Sequence, residues 1–271
     1  MSGTEGGVSV DKPIDIILPT HNNLRRTTAC IEELYANTEI PFNLLVIDDS
    51  DDVTPIWLEW FKKDHDNLTI LRPQEKLTCG NQIINLGLEN TTSELVVYIG
   101  NSIEVKPMWL TMALGLMEHS DDVGVVGFKL LKPEGVIEHA GIHFEKGMPH
   151  HMNYGVNKEP IELTCMQEMG ELDSVGWALV LLRRLAIPVG GLEMDYYIGF
   201  RGYDDVDNCL QIKKNGWKVV YCGFGAATHY AGATRFTNTL ENFKEHEENR
   251  KRFLKRWGGE CESPLGELRQ F

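Results

Sequence analysis

Short apolar runs alternate with helically spaced ones through the first half of the chain. Ile14–Leu18, Leu44–Ile47, Leu68–Leu71, Leu95–Ile99 and Val123–Phe128 are brief and rich in β-branched residues, as buried strands are. Between them, Leu24–Tyr35 carries Ala29, Ile31 and Leu34 among its apolar positions and reads as a helix. Trp57–Phe61, Gln82–Leu88 and Met108–Met117 read as helical segments too. Strand-helix alternation of this kind predicts a doubly wound, mostly parallel α/β sheet with helices on both faces and ligands at the strands' C-terminal edge.

Beyond Phe128 the pattern loosens. Lys132–Asn157 is rich in Gly, Pro and His and predicts loops with short extended pieces. Leu179–Leu182 and Val219–Cys222 read as further strands, the second following an Asn215-Gly216 turn, and Leu240–Trp257 as a charged helix. Nothing resembles a repeat or linker, so residues 1–271 are expected to form a single domain.

Composition narrows the partners. At 271 residues, 42% hydrophobic and 24% charged, the chain can bury a full core. Its net charge of −14 argues against a nucleic-acid backbone as partner. Anionic small molecules stay open, because helix N-termini and bound cations hold phosphate locally. Six cysteines without a C-x-x-C pair fit free thiols in a reducing compartment. The polar N-terminal stretch lacks the apolar core of a signal peptide, and no apolar run approaches a membrane span, so a cytoplasmic location is expected.

Candidate chemistry collects at the strand ends. Pro19-Thr20-His21-Asn22 closes the first strand, Asp48-Asp49-Ser50-Asp51-Asp52 the second, and Gly100-Asn101-Ser102-Ile103-Glu104 the fourth. Polar strand ends are often mere turn formers, but three at crossover points suggest a site. Asp48, at the tip of a buried strand, is placed to hydrogen-bond a ribose or base. Further on, Gly202-Tyr203-Asp204-Asp205-Val206-Asp207-Asn208-Cys209 sets three carboxylates at a helix start, where the helix dipole favours negative charge. Such a carboxylate can take a proton from a hydroxyl.

These motifs, in this order, resemble family 2 glycosyltransferases of the GT-A fold. The resemblance covers most of the chain: Pro19–Asn22, Val46–Asp49, Asn85-Leu86-Gly87, and Glu104-Val105-Lys106-Pro107-Met108-Trp109-Leu110. Gly135–Gly141, Gly202–Cys209 and Asn249–Trp257 resemble its rhamnosyltransferase-like branch, with Asp204 replacing Glu and Arg256 replacing Lys. The resemblance implies an inverting transfer of a sugar from a nucleotide-diphosphate donor to a glycan, lipid-linked or other hydroxyl acceptor. It implies a nucleotide-binding part over about residues 12–130, an acceptor-binding part over about 131–235 and a C-terminal helix over about 237–258. Asp205 would be the general base, with Asp204 orienting the acceptor or sugar. Pro19, Thr20, His21, Asp48, Asp49, Asn85 and Asn101 would serve the nucleotide. His229, and less strongly Ser102, would meet a divalent cation, Mn or Mg.

One departure is serious. Where the family carries D-x-D or N-N-D, this chain has Gly100-Asn101-Ser102, and neutral oxygens are poor ligands for a hard cation. The metal is therefore expected to be weakly held or dispensable, and a non-catalytic binding protein on the same fold is the rival reading. His139 and His150 are expected to line the acceptor side rather than bind zinc, since no Cys joins the histidines and Gly141 breaks helical spacing. Trp177 could stack on a sugar or sit in the core. The run Arg250-Lys251-Arg252 with Lys255 and Arg256 reads as a solvated helix face, at most touching a membrane surface.

Overall fold

The computed structural model describes residues 13–156, 169–200, 202–230 and 240–258. The polar N-terminal stretch, Cys165, Cys261, and parts of the expected acceptor segment and C-terminal helix start lie outside those residues. In chain order the elements are β1 (Ile14–Thr20), α1 (Leu24–Asn37), β2 (Phe42–Asp48), α2 (Thr54–Phe61) and β3 (Leu68–Leu71). They continue with α3 (Gly80–Glu89), β4 (Leu95–Ile99), β5 (Ile103–Val105), α4 (Trp109–His119), β6 (Val123–Leu131) and β7 (Ile137–His139). The hairpin β8 (Ile142–Glu145) and β9 (Met148–His151) follows, then β10 (Met169–Glu171), β11 (Leu179–Arg183), α5 (Asp204–Lys214), β12 (Lys218–His229) and α6 (Leu240–Trp257).

The main sheet runs β10-β12-β6-β11-β4-β1-β2-β3, with β5 on β12 and β7 on β6. β1, β2, β3 and β4 are parallel, as is the β6–β12 pair. β11 lies between β4 and β6, antiparallel to both. The sheet is thus mostly parallel with one reversed central strand. β1 is buried at every position, which requires cover on both faces. On one face Ile16, Leu18 and Val46 meet Ile31 and Leu34 of α1, Leu58 of α2 and the buried side of α4. On the other, Ile17, Leu45 and Val96 meet Ile83 of α3, and Val125 and Val180 meet Cys209 and Ile212 of α5.

The strand tips of β1, β2 and β4 point the same way, and β1 is flanked by β2 and β4. The chain's windings part between β1 and β4, the position where a doubly wound sheet opens a crevice. Among the described residues no helix is long and apolar enough to cross a membrane.

Candidate active site at the strand tips

Two loops form one wall. After β1, Asn22 and Asn23 adopt left-handed backbone (φ 56° and 60°), a turn that asparagine tolerates. Asn22 Oδ1 accepts the amides of Asp51 and Asp52 at 2.7 and 3.1 Å, and its own N–H donates to Ser50 Oγ at 2.8 Å. His21 Nδ1 lies 2.6 Å from the Asp49 carbonyl, and the Asp49 amide donates to the Thr20 carbonyl at 2.9 Å. The two tips are therefore fastened together. Asp48 is fully buried beneath them: Oδ1 accepts the Ser50 amide and Oδ2 an Arg72 guanidinium N–H, each at 3.1 Å. Arg72, half-exposed just past β3, also donates to the Ser50 carbonyl at 2.8 Å.

The opposite wall is the turn after β4. Asn101 is buried, and its amide nitrogen donates inward to Thr27 Oγ1 at 3.1 Å and Thr20 Oγ1 at 3.4 Å. Ser102 is partly exposed, and its carbonyl accepts the Tyr230 amide at 2.9 Å. Because β5 and β12 pair with His229 opposite Ile103, His229 is brought beside this turn. Its Nδ1 lies 2.9 Å from Glu138 Oε2, which holds the ring and leaves Nε2 for a ligand. Glu104 is occupied elsewhere, bonded to Arg26 at 3.3 Å and to the Tyr230 hydroxyl at 3.1 Å.

The acidic pair opens α5. Tyr203 precedes it in left-handed backbone at φ 75°, turning the chain into the helix. α5 is fixed by a reciprocal amide pair, Asn81 with Asn208, and by Asp207, which accepts from Tyr197, Gln211, Arg256 and Trp257. Asp204 leans on the start of α3: a Cβ on Gly80 would stand 2.9 Å from its Oδ2. Asp205 Oδ1 accepts the Val206 amide at 2.8 Å. Burial, and then the charge of Asp205, push the Asp204 carboxyl up to about 7; burial also raises Asp205. One carboxyl of the pair is thus poised to hold a proton near neutrality.

The remaining expected residues fall into three settings. Trp177 is buried in the core, its indole N–H on Cys209 Sγ at 3.2 Å, so its ring is not open for stacking. Asn85 pairs reciprocally with the backbone of Leu192, its amide donating at 2.7 Å and accepting at 2.8 Å, which braces that segment. His150 stands exposed on β9, across from His143. His139 is buried, and burial first, then His151 and His229, depress it to about 3, so it is neutral.

Residues 15–161 match the family described as Glycosyl transferase family 2. The chain belongs to that family. As a family member it is 27% identical over 230 residues to the uncharacterized protein y4gI of Sinorhizobium fredii, covering 82% of this chain and 25% of that one. It is 28% identical over 163 residues to the O-antigen biosynthesis protein RfbC of Myxococcus xanthus, covering 58% of this chain and 12% of that protein. This family member therefore spans a quarter or less of the length of those relatives. Among solved structures it is similar to GalNAc-T7 with UDP, GalNAc and Mn²⁺, at TM-score 0.71 and 12% identity over 92% of this chain and 49% of that one. Mannosyltransferase PcManGT from Pyrobaculum calidifontis, in complex with GDP-Man and Mn²⁺, gives 0.58 and 16% over 89% and 69%. Staphylococcus aureus TarS with UDP-GlcNAc gives 0.59 and 14% over 90% and 67%. At such identities the likeness shows the GT-A fold.

Two groups, one in each wall, escaped the sequence reading. Glu138 sits inside the Gly135–Gly141 motif beside His139, and strand alternation puts it on the opposite face from that histidine. Arg72 directly follows β3, while Asp48 closes the neighbouring β2, a position that could have drawn notice.

Proposed function

We propose that this chain transfers a sugar from a nucleoside-diphosphate sugar to a hydroxyl acceptor, with inversion. Asp205 is the general base, and the observation that carries the reading is its setting. It is a carboxyl raised by burial, bonded to the Val206 amide, and beside a second carboxyl that shares the pair's proton load. The acceptor hydroxyl would lose its proton to Asp205 as its oxygen attacks the anomeric carbon from the face opposite the leaving diphosphate. Asp204 would orient the acceptor or the sugar. The nucleotide would lie against Pro19–His21 and Asp48–Asp49, with Arg72 and Asn22 setting that wall, Asn101 bracing it through Thr20 and Thr27, and Asn85 holding the Leu192 segment. His150 and the β8–β9 hairpin would edge the acceptor side. Buried free thiols at Cys30, Cys79, Cys209 and Cys222 support a reducing, cytoplasmic setting.

A divalent cation fits poorly as a resident group. The described residues contain no group of three His, Cys, Asp or Glu side chains that could hold one, and Asn101 spends its amide inward. A cation carried in by the diphosphate would find His229 Nε2 as its main protein ligand, with Ser102 alongside. The same loss of carboxylates favours a second reading, a nucleotide- or sugar-binding protein without turnover. Hydrolysis of UDP-, GDP- and dTDP-sugars, followed with and without Mn²⁺, separates them. Asp205→Asn should keep nucleotide binding and lower turnover by about 10²–10⁴-fold. Wild-type protein that binds these donors but consumes none supports the second reading, and unchanged turnover in Asp205→Asn removes Asp205 as base.

A further inference from the structure

The β8–β9 hairpin presents two different faces. Ile142 pairs with His151 and His143 with His150, and residues directly opposite on an antiparallel pair share a face. Ile142 is buried in one cluster with Tyr203 and Val206 at the start of α5. His151 is therefore carried on the face that meets the helix of the acidic pair, and His143 and His150 on the other. The Ile142 amide donates to the Ser174 carbonyl at 2.9 Å, which ties the hairpin to the segment before β11.

Hydrogen bonds fix which nitrogen of His151 carries its proton. The Gly176 amide donates to His139 Nε2 at 3.0 Å. An amide N–H can only donate, so His139 is neutral with its proton on Nδ1. That proton is donated to His151 Nδ1, 3.0 Å away. His151 accepts there, so its own proton lies on Nε2, on the far side of the ring. His139 is 1% exposed and spends both nitrogens, whereas His151 is exposed and keeps one N–H to offer. A Cβ on Gly176 would meet the His139 ring at 3.5 Å and Asp205 Oδ2 at 3.7 Å. His139 thus lies beside the acidic pair, and His151 is the next ring outward.

An open aromatic ring stands next to it. Tyr154 is 58% exposed, its ring centroid 6.4 Å from that of His151, and Lys132 Nζ donates to its hydroxyl at 2.9 Å. A fixed N–H donor beside an exposed aromatic face suits a saccharide, which offers oxygens along its edge and C–H groups on its face.

We propose that His151 and Tyr154 form an acceptor subsite for a sugar unit: Tyr154 takes the ring face, and His151 Nε2–H donates to a hydroxyl or ring oxygen. This rests on the reading of the acidic pair as the place where the acceptor hydroxyl loses its proton. It makes the acceptor a saccharide, with His139 the group that keeps His151 a donor at Nε2.

In protein labelled with ¹⁵N at histidine, long-range ¹H–¹⁵N correlations should show His151 as the Nε2–H tautomer, and a His151 protonated on Nδ1 overturns the proposal. Methyl glycosides of neutral hexoses and deoxyhexoses, titrated in the presence of UDP, should move the His151 Nε2 and Tyr154 ring resonances, and glycerol should not. For a glycoside that responds, His151→Phe should weaken binding about tenfold. Tyr154→Ala should weaken it about fivefold. His151→Gln, which keeps an N–H donor, should stay near wild type. A panel that moves neither resonance, an equal response to glycerol, or a folded His151→Phe that binds as tightly as wild type overturns the proposal. Should a variant fail to fold, the wild-type tautomer and titration decide. None of these readouts needs turnover. If glycosides bind at His151 while Asp205→Asn keeps its activity, the base is lost and the subsite stands; if turnover depends on Asp205 while His151 ignores every glycoside, the subsite alone is lost.

Discussion

Asp204 and Asp205 are neighbours in one buried setting, and burial raises both carboxyls. Burial, and then the charge of Asp205, keep the proton on Asp204 up to about pH 7 in the folded protein, whereas an unfolded aspartate releases it near 3.8. Between those values the folded state holds more protons than the unfolded one, and stability falls as pH rises through the window. Asp204→Asn cannot ionise. It should therefore be more stable than wild type at pH 8, on the order of 1–3 kcal/mol, with the gap closing towards pH 4. Urea midpoints at the two pH values check this; a gap that does not depend on pH would show that Asp204 is not held in its acid form. Asp48 is held by an amide and a guanidinium. Asp48→Ala should weaken nucleotide binding by about 1–3 kcal/mol, through the lost contact and through release of Arg72. Calorimetry with UDP, GDP and dTDP, repeated on Arg72→Ala, measures both parts.

At the scale of elements, close packing of α3 on β1 sets one wall of the crevice. A Cβ on Gly87 would stand 2.5–2.9 Å from three side-chain atoms of Ile17, in the fully buried layer. Gly87→Ala gains in helix propensity but forces that layer apart, so it should lower the urea midpoint by an equivalent of about 1–3 kcal/mol. The strands of the first half were legible because buried runs of Ile, Leu and Val admit few alternatives. β5 and β10 escaped because three residues leave no period to detect. β12 runs to His229, well past the Val219–Cys222 expectation, because Gly223, Gly225 and a bulge between Cys222 and Ala226 interrupt its pattern. The reversal of β11 could not be read, since a run of buried apolar residues carries no direction. Strand-tip polar groups announced the site, but Glu138 met His229 only through folding, 91 residues apart.

For the whole molecule, the proposed function makes the turn at Gly100–Ser102, which has neutral side chains, the place that would set how far turnover depends on metal. Turnover should respond less to Mn²⁺ than in relatives with an intact carboxylate motif. His229→Ala should abolish most of the response that remains. A metal titration by calorimetry in the presence of nucleoside diphosphate checks this, and tight binding that survives the substitution would mean that other groups have taken over. α6 belongs at this scale as well: Phe253 and Trp257 are buried against Tyr203 and Val206, so this helix supports the start of α5 from behind.

The reversed strand β11 also imposes an order in time. It is the partner of β4 on one side and of β6 on the other, yet it arrives about 50 residues after β6 ends. As the chain leaves the ribosome, the wall formed by the β1 and β2 tips is complete in sequence long before its sheet can join, and two apolar strands wait with exposed edges. The stretch that carries the family match ends at residue 161, before β11 begins. A fragment cut there would retain the motifs and leave β4 and β6 without the strand that joins them, so the unit that is recognised by sequence is shorter than the unit that can fold.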